Sequence, residues 1–333
     1  MEESKSYALL FIYNALKEGK VVIKDDIIEK FKINERTFYR YIKDIKEFVE
    51  DECGSNNELL GEEVISGIEK GGYILKGEHE KNLNEKEVLA ISKVLLESRG
   101  FIKTEMEEML NKLLKNCMSN DKVKIEHIIG NELINYVSPQ HGKELLNTLW
   151  QISSAVKDKR ILEIGYSKLG KDGKIQEDVS RRTIHPQGLL FSEYYFYLIA
   201  LIEDRSYEYP TIYRVDRIKE LVITDKKYKK GYSDRFKDGE FKKLIQFMQT
   251  GELERIKFRF TGRSIEAVLD RLPNAKVVKE KQGEYIVEAN MFGKGIKMWL
   301  LSQGDSVEVL GPDKFRGEIM ETVENIRMLY RQC

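Results

Sequence analysis

The sequence predicts a multidomain α+β protein in four consecutive parts. Residues 1–78 read as a winged helix-turn-helix, 79–140 as a helical linker, 141–230 as a small β-barrel and 231–333 as an α+β C-terminal extension. Length is the first reason: 333 residues suit two or three cores of about 80–120 residues each rather than one. The second is periodicity, which is helical up to His141, changes to short closely spaced strands after Arg160, and then mixes strands with helices after Gly231. The third is the placement of capping and turn residues where those patterns change.

In the first part, Ser4 to Leu75 gives three short helices followed by a hairpin. Asp25 to Phe31 is a short amphipathic helix, Lys32-Ile33-Asn34 a tight turn, and Glu35 to Lys46 a second helix with Asn34 as its cap. Glu63 to Ser66 and Gly72 to Leu75 make a β-pair around Ile68-Glu69-Lys70-Gly71, with Lys70 at the tip. The linker opens with a sharp start signal. Asn84 caps, Glu87 is its capping-box partner, and Leu83 with Val88 forms a hydrophobic staple. Gly100 ends that helix, and a second amphipathic stretch runs from Thr104 to Cys117.

A helix around Leu145 to Val156 leads into five strands: Arg160 to Tyr166, Arg182 to Phe191, Tyr194 to Ile202, Thr211 to Arg214 and Glu220 to Thr224. Lys171-Asp172-Gly173-Lys174 forms a loop tip between the first two, because Asp-Gly tolerates positive φ. Short strands at this spacing suggest a small barrel. In the extension, Arg255 to Phe260, Ala275 to Lys279, Tyr285 to Met291 and Val307 to Leu310 read as strands. Ser264 to Leu272 reads as a helix ended by Pro273, Gly293-Lys294-Gly295 as a glycine-rich turn, and Asp313 to Tyr330 as a final helix capped by Asp313.

Composition narrows the function. The start, Met1 to Lys5, has no basic n-region or apolar h-region. The longest apolar run, Tyr194 to Ile202, is far short of the roughly 18 residues that span a bilayer. Cys53, Cys117 and Cys333 are scattered and form no CxxC pair, which fits a reducing cytoplasm without a disulfide framework or zinc site. A cytoplasmic protein with no membrane partner is expected. The four histidines, His79, His127, His141 and His185, show no HExxH spacing, and Gly170-Lys171-Asp172-Gly173-Lys174 lacks the spacing of a phosphate loop. Neither an enzyme nor a cofactor or metal requirement is expected.

The 56 basic and 56 acidic residues cancel. Residues 1–78 hold 12 Lys/Arg against 17 Asp/Glu, so a nucleic-acid contact there needs its positive charge gathered on one face. The second helix does this. At 100° per residue Phe38, Ile42 and Ile45 fall on one side, while Arg36, Tyr39, Arg40, Lys43 and Lys46 fall within about 120° on the other. Arginines of such an arc can pair with guanine, and Lys and Tyr can reach phosphate. A plain solvated basic helix is the alternative for that face taken alone. Lys70 at the hairpin tip is a further phosphate contact.

These residues resemble the DeoR-type winged helix, with Arg36-Thr37-Phe38-Tyr39-Arg40-Tyr41-Ile42 as its recognition motif and Gly71-Gly72-Tyr73 closing its wing. The resemblance implies that Thr37 joins the DNA-reading set. Tyr41 stands where the family usually has Asp. A second resemblance covers the barrel: Ile164-x-Tyr166, Ile184-His185-Pro186-Gln187-Gly188-Leu189, Phe196-Tyr197-Leu198-Ile199-Ala200 and Tyr213-Arg214-Val215-Asp216-Arg217-Ile218 occur in order. This is similar to a WYL domain, an Sm-like (SH3-type) β-barrel, with Phe196 in place of the family's Trp. Trp299 to Pro312 resembles the C-terminal extension that follows WYL domains. The order of the four parts matches the usual layout of WYL-domain transcriptional regulators.

The barrel offers an anion site. Arg214 and Arg217 are three apart at a strand end and can converge on one phosphate or carboxylate. Arg182 and His185 sit on a neighbouring strand, and Tyr166 and Tyr197 add hydroxyls or stacking faces. The alternative is that Arg217 pairs with Asp216 or Glu220 to fix the turn, and that the tyrosines serve the core. The resemblance implies a regulator that binds a double-stranded DNA operator and senses an anionic effector, single-stranded nucleic acid or nucleotide-like. A homodimer is expected, paired through the linker and the extension. The other reading is a nucleic-acid-sensing accessory or defence regulator that controls no promoter directly.

Overall fold

The computed structural model describes residues 5–17, 20–52, 63–68, 72–76, 83–115, 119–170, 172–203, 210–229, 238–249 and 251–331. The chain divides into two compact units, residues 1–99 with 103–137, and residues 100–102 with 138–333. Among the described residues no helix is long and apolar enough to cross a membrane.

The first unit opens with three helices, α1 (Lys5–Lys17), α2 (Lys24–Phe31) and α3 (Glu35–Glu52). Lys32 ends α2 in the left-handed conformation at φ 49°, its amide bonded to the Ile28 carbonyl. Asn34 accepts the amide of Thr37 at 2.8 Å, so the predicted cap starts α3, which runs a turn and a half beyond the predicted end. Phe38, Tyr41, Ile42, Ile45 and Val49 of α3 bury with Ala8, Ile12, Leu16 and Ile27. The strand pair predicted around residues 63–75 is present as β2 (Glu63–Ile68) and β3 (Gly72–Lys76). A strand absent from the sequence reading, β1 (Val22–Ile23), adds to it in the order β1-β3-β2, with Val22 opposite Tyr73. Lys70 and Gly71, the predicted tip, lie outside the described residues.

Three helices follow, α4 (Glu85–Ser98), α5 (Lys103–Lys115) and α6 (Ser119–Ile134), each packed on the other two. The capping box is complete. Asn84 accepts from the Lys86 and Glu87 amides at 3.0 and 3.1 Å, and Glu87 accepts from the Asn84 amide at 2.8 Å. The stop assigned to Gly100 is corrected: the left-handed residue is Arg99 at φ 47°, whose Nε donates to the Val137 carbonyl at 3.0 Å. That bond helps fix an arginine where glycine would be easier. Val88, Met106, Leu110, Leu114, Ile125 and Ile129 are buried, while Val94, Val123 and Ile134 are well exposed.

In the second unit, helix α7 (Leu146–Asp158) packs on a five-stranded antiparallel sheet. Its strands are β4 (Arg160–Leu169), β5 (Ile175–Ser192), β6 (Tyr195–Ile202), β7 (Thr211–Arg214) and β8 (Ile218–Lys227), in the order β7-β6-β5-β4-β8. β5 begins seven residues before its predicted start. Its polar, mostly exposed first half pairs with the end of β4, Leu169 opposite Ile175, and lacks the apolar alternation that marks a half-buried strand. The two edge strands, β7 and β8, are joined by the single 3₁₀ turn Val215–Arg217. A sheet whose edges lie three residues apart has to roll. Tyr166 marks the seam: it pairs with Ile218 of β8, while its hydroxyl accepts the Arg214 amide of β7 at 3.3 Å. Leu162, Ile164, Ile184, Leu198, Ala200 and Val215 fill the interior.

The extension contains a four-stranded antiparallel sheet of β9 (Leu253–Phe260), β10 (Lys276–Lys281), β11 (Glu284–Phe292) and β12 (Val307–Gly311), in the order β10-β11-β9-β12. Its helices are α8 (Asp238–Leu244), α9 (Ile265–Arg271), α10 (Gly293–Ser302) and α11 (Asp313–Leu329). Ile256, Phe258, Val287, Met291, Ile296 and Phe315 lead its core. Two expectations are corrected. Gly293 to Gly295 is no turn but the first turn of α10. Gly295 is needed there because a Cβ would stand 2.1 Å from the Gln246 carbonyl oxygen. Asp313 is the first helical residue of α11; Pro312 holds the cap position and provides no side-chain cap.

Gln246 begins a four-residue turn closed by the Gln249 amide on its carbonyl at 3.1 Å. Phe247 and Met248, the two central residues, are both left-handed at φ 51°, a conformation that costs a side-chain-bearing residue about 1–2 kcal/mol. The contact with Gly295 and a bond from Gln246 Nε2 to the Arg271 carbonyl at 3.2 Å hold it. Beside this turn, Leu190 and Ile199 of the rolled sheet bury with Phe241, Ile245, Met248 and Phe292 of the extension.

Candidate functional site

Two groups of residues stand out, one in each unit. On α3, the side opposite the buried Phe38, Ile42 and Ile45 carries Arg36, Tyr39, Arg40 and Lys43, all exposed, with Thr37 and Lys46 half-buried. Tyr41, where the sequence departs from the DeoR motif, is in the core. Among the described residues neither Arg36 nor Arg40 makes an ion pair. The nearby acids are occupied. Glu35 binds Lys24 at 2.9 Å, Asp44 lies 3.4 Å from Lys5, and Glu47 lies 3.5 Å from Lys43. The Lys24 ammonium, with the Tyr39 hydroxyl also donating, holds the Glu35 carboxyl below its ordinary range. An acidic segment thus presents a basic face because lysines from α1, α2 and α3 itself cover the carboxylates bordering it. These exposed pairs add little stability; their effect is on the local field.

The second group forms at the seam of the rolled sheet. Arg214 is half-buried and forks onto Asp216, with Nε to Oδ1 at 3.0 Å and Nη2 to Oδ2 at 2.8 Å. The Asp216 side chain is only 2% exposed. Burying that carboxylate alone would be costly, and the guanidinium compensates it. Burial pulls the Arg214 pKa down, and the hydrogen bonds and charge of Asp216 more than reverse this, leaving it raised. The face of Arg214 lies 3.4 Å from the centre of the Tyr195 ring. Tyr166 meets Tyr213 edge-on at 5.0 Å, and Tyr195 meets Tyr197 edge-on at 6.5 Å. Burial holds the Tyr197 hydroxyl well protonated. Arg217 is half-buried with its Nε lacking a hydrogen-bond partner.

Arg214 and Arg217 are therefore not two equivalent free cations. Arg214 is committed to the buried Asp216; Arg217 is the one with an unsatisfied donor. Of the predicted ligand residues, Tyr166, Tyr197, Arg214 and Arg217 gather at the seam. Arg182 and His185 find other partners. Arg182 donates to the Arg181 carbonyl and lines a cleft of about 650 Å³ with Glu163, Thr183, Glu220 and Val222. His185 stacks on Tyr228 at 4.9 Å and lies 3.7 Å from Glu203.

Three seam residues escaped the sequence reading. Tyr195 shares a strand face with Tyr197 by simple alternation, which could have found it. His141 and Lys143 come from a loop far upstream, with no local signal. His141 Nδ1 accepts the Lys143 amide at 3.0 Å, which places the ring proton on Nε2, a buried atom with no partner. Burial lowers the His141 pKa below its ordinary 6.5; the Asp216 charge opposes that shift, while Arg214 and Lys143 assist it.

The chain carries two domains that match known families: a WYL domain over residues 147–223 and a WCX domain over residues 252–327. Among solved structures it is similar to proteasome accessory factor B/C (PafBC) of Arthrobacter aurescens at 16% identity, covering 96% of this chain and 47% of that one, with a TM-score of 0.30. It is also similar to a CRISPR Cas-related protein at 14% identity, covering 99% of this chain and 82% of that one, with a TM-score of 0.38. The chain thus spans about half the length of the PafBC chain. No curated protein matches it.

Proposed function

We propose that this protein is a DNA-binding transcriptional regulator. Its first part is a DeoR-type winged helix-turn-helix that reads a double-stranded operator through α3. The rolled sheet is an Sm-like barrel that senses an anionic effector, single-stranded nucleic acid or nucleotide-like, at the Arg214–Arg217 seam. No catalytic step is part of the function. The observation that carries DNA binding is the exposed arc of Arg36, Tyr39, Arg40 and Lys43, bordered by carboxylates that already have lysine partners. It is supported by the WYL and WCX matches. The protein acts as a homodimer, because one short helix offers few base contacts against a large excess of competitor DNA.

Genome-wide mapping of bound sites, followed by footprinting and light scattering at one fixed salt concentration, tests this reading. Discrete promoter sites protected as two half-sites by a dimer are expected. Binding confined to free ends or single strands would replace the promoter function with that of a nucleic-acid-sensing accessory protein.

A further inference from the structure

A cleft of about 330 Å³ opens where the rolled sheet meets the extension, within the second unit and lined by none of the seam residues. Its floor is apolar, built from Leu190, Ile245, Phe247, Met248 and Pro273. Its charged groups are exposed and collect at the rim: Lys242 and Lys243 from α8, Asp270 and Arg271 from the end of α9, and Glu193 from the β5–β6 turn. Ser192 and the buried Gln246 also line it. Arg271 is the best placed of these. Its guanidinium lies 5.1 Å from the Phe247 ring centre and reaches Glu193 at 3.2 Å. Three cations thus face two carboxylates, one of which is an exposed glutamate that a ligand carboxylate can displace. An apolar floor with a few converging polar groups, in a volume at the lower end of the usual range, is the form of a small-molecule site.

The floor also contains the left-handed pair Phe247 and Met248. Backbone strain of this kind persists only where surrounding structure enforces it, and it concentrates at ligand-binding positions. Here the strain turns both side chains toward the joint, Met248 into the core and Phe247 beneath Arg271.

We propose that this cleft binds an amphipathic carboxylate, its apolar body on Leu190, Ile245, Phe247 and Met248 and its carboxylate on Arg271 in place of Glu193. Lys242 and Lys243 draw the anion to the rim. The site is separate from the seam and from α3, and stands or falls independently of DNA binding.

The test is calorimetric titration of the full chain with decanoate and 4-phenylbutyrate, alongside decanol and 4-phenylbutylamine, without DNA. Saturable one-to-one binding of at least one carboxylate is expected, exceeding that of the alcohol and the amine. Arg271→Gln removes the guanidinium at an exposed position and should weaken carboxylate binding about tenfold or more. Ser192→Trp, at a half-buried residue that lines the cleft, should fill it and abolish binding while the thermal transition is kept. Absence of saturable carboxylate binding up to roughly millimolar concentration, tighter binding of the amine, or carboxylate affinity unchanged in both variants would each overturn the proposal.

Discussion

Arg214 and Asp216 grip each other across one intervening residue, the guanidinium forked on a carboxylate that solvent barely reaches. The pair sits within and beside the turn that joins the two edges of the rolled sheet. Removing either partner leaves the other charge buried, a change that costs about 3–5 kcal/mol for a fully buried pair and less here, because Arg214 retains some exposure. Asp216→Asn and Arg214→Gln should each lower the urea midpoint, and the double variant should lose less than the two singles combined. Additive losses would show that the two side chains do not depend on each other.

Arg217, with an unsatisfied Nε and no role in that pair, is the cleaner probe of the proposed effector site. Arg217→Gln should leave the unfolding midpoint close to wild type and weaken binding of short single-stranded oligonucleotides or nucleotides to the full chain. Charge-assisted hydrogen bonds suggest a loss of about 1.5–3 kcal/mol. Unchanged oligonucleotide and nucleotide affinity would reassign Arg217 to support of the turn.

On α3, Arg36→Ala and Arg40→Ala remove exposed side chains without touching the core. Each should reduce operator affinity by roughly 1–3 kcal/mol if it contacts a base, with no change in stability. Fluorescence anisotropy at several salt concentrations distinguishes the two kinds of contact. A phosphate contact lowers the salt slope by about one and weakens all sequences alike, whereas a base contact relaxes preference at one position.

His141 predicts a pH dependence. Its folded pKa lies below 6.5, so as pH falls through that value the unfolded chain takes up the proton first and the folded state loses stability. The charged groups facing the ring are Asp216, Arg214 and Lys143, and the first of these limits the effect. His141→Gln should flatten the decline in stability between about pH 7.5 and pH 5.5. A decline of the same steepness in the variant would place the titrating group elsewhere.

Gly295→Ala should be among the most damaging small substitutions in the extension. The new methyl group would meet backbone, the Gln246 carbonyl, rather than a flexible side chain. Overpacking of this kind costs about 1–3 kcal/mol. Thermal melts of the full chain provide the check, and an unchanged transition would mean that the Gln246 turn moves freely.

Elements with strong local signals were legible in the sequence. Asn84 with Glu87, Asn34 before α3, and Ser264, which accepts the Ala267 amide at 3.2 Å, each act through neighbouring residues. What escaped depends on remote contacts. Gly293-Lys294-Gly295 reads as a turn until Gln246 is known to press on it, and Arg99 becomes left-handed beside a carbonyl at Val137. The first half of β5 is polar and becomes a strand by pairing with β4. At the seam, alternation along β4 puts Tyr166 on the face of Ile164, while along β6 it puts Tyr197 on the face of Ile199, opposite the interior Leu198 and Ala200. Strand pattern places Arg182 and His185 near each other but cannot say that His185 stacks on Tyr228. Nor could it foresee His141, which arrives from a loop before α7.

The three-residue link between β7 and β8 ties the fate of the sheet to that of its seam. Peeling either edge strand away strains Val215–Arg217, and peeling β7 also breaks the Tyr166–Arg214 bond. The amides of β7, β8 and the end of β4 should therefore exchange with deuterium together, as one cooperative opening rather than as frayed ends. An effector that anchors Arg217 would slow that whole group at once, so occupancy of a few atoms at the turn would register as protection along three strands.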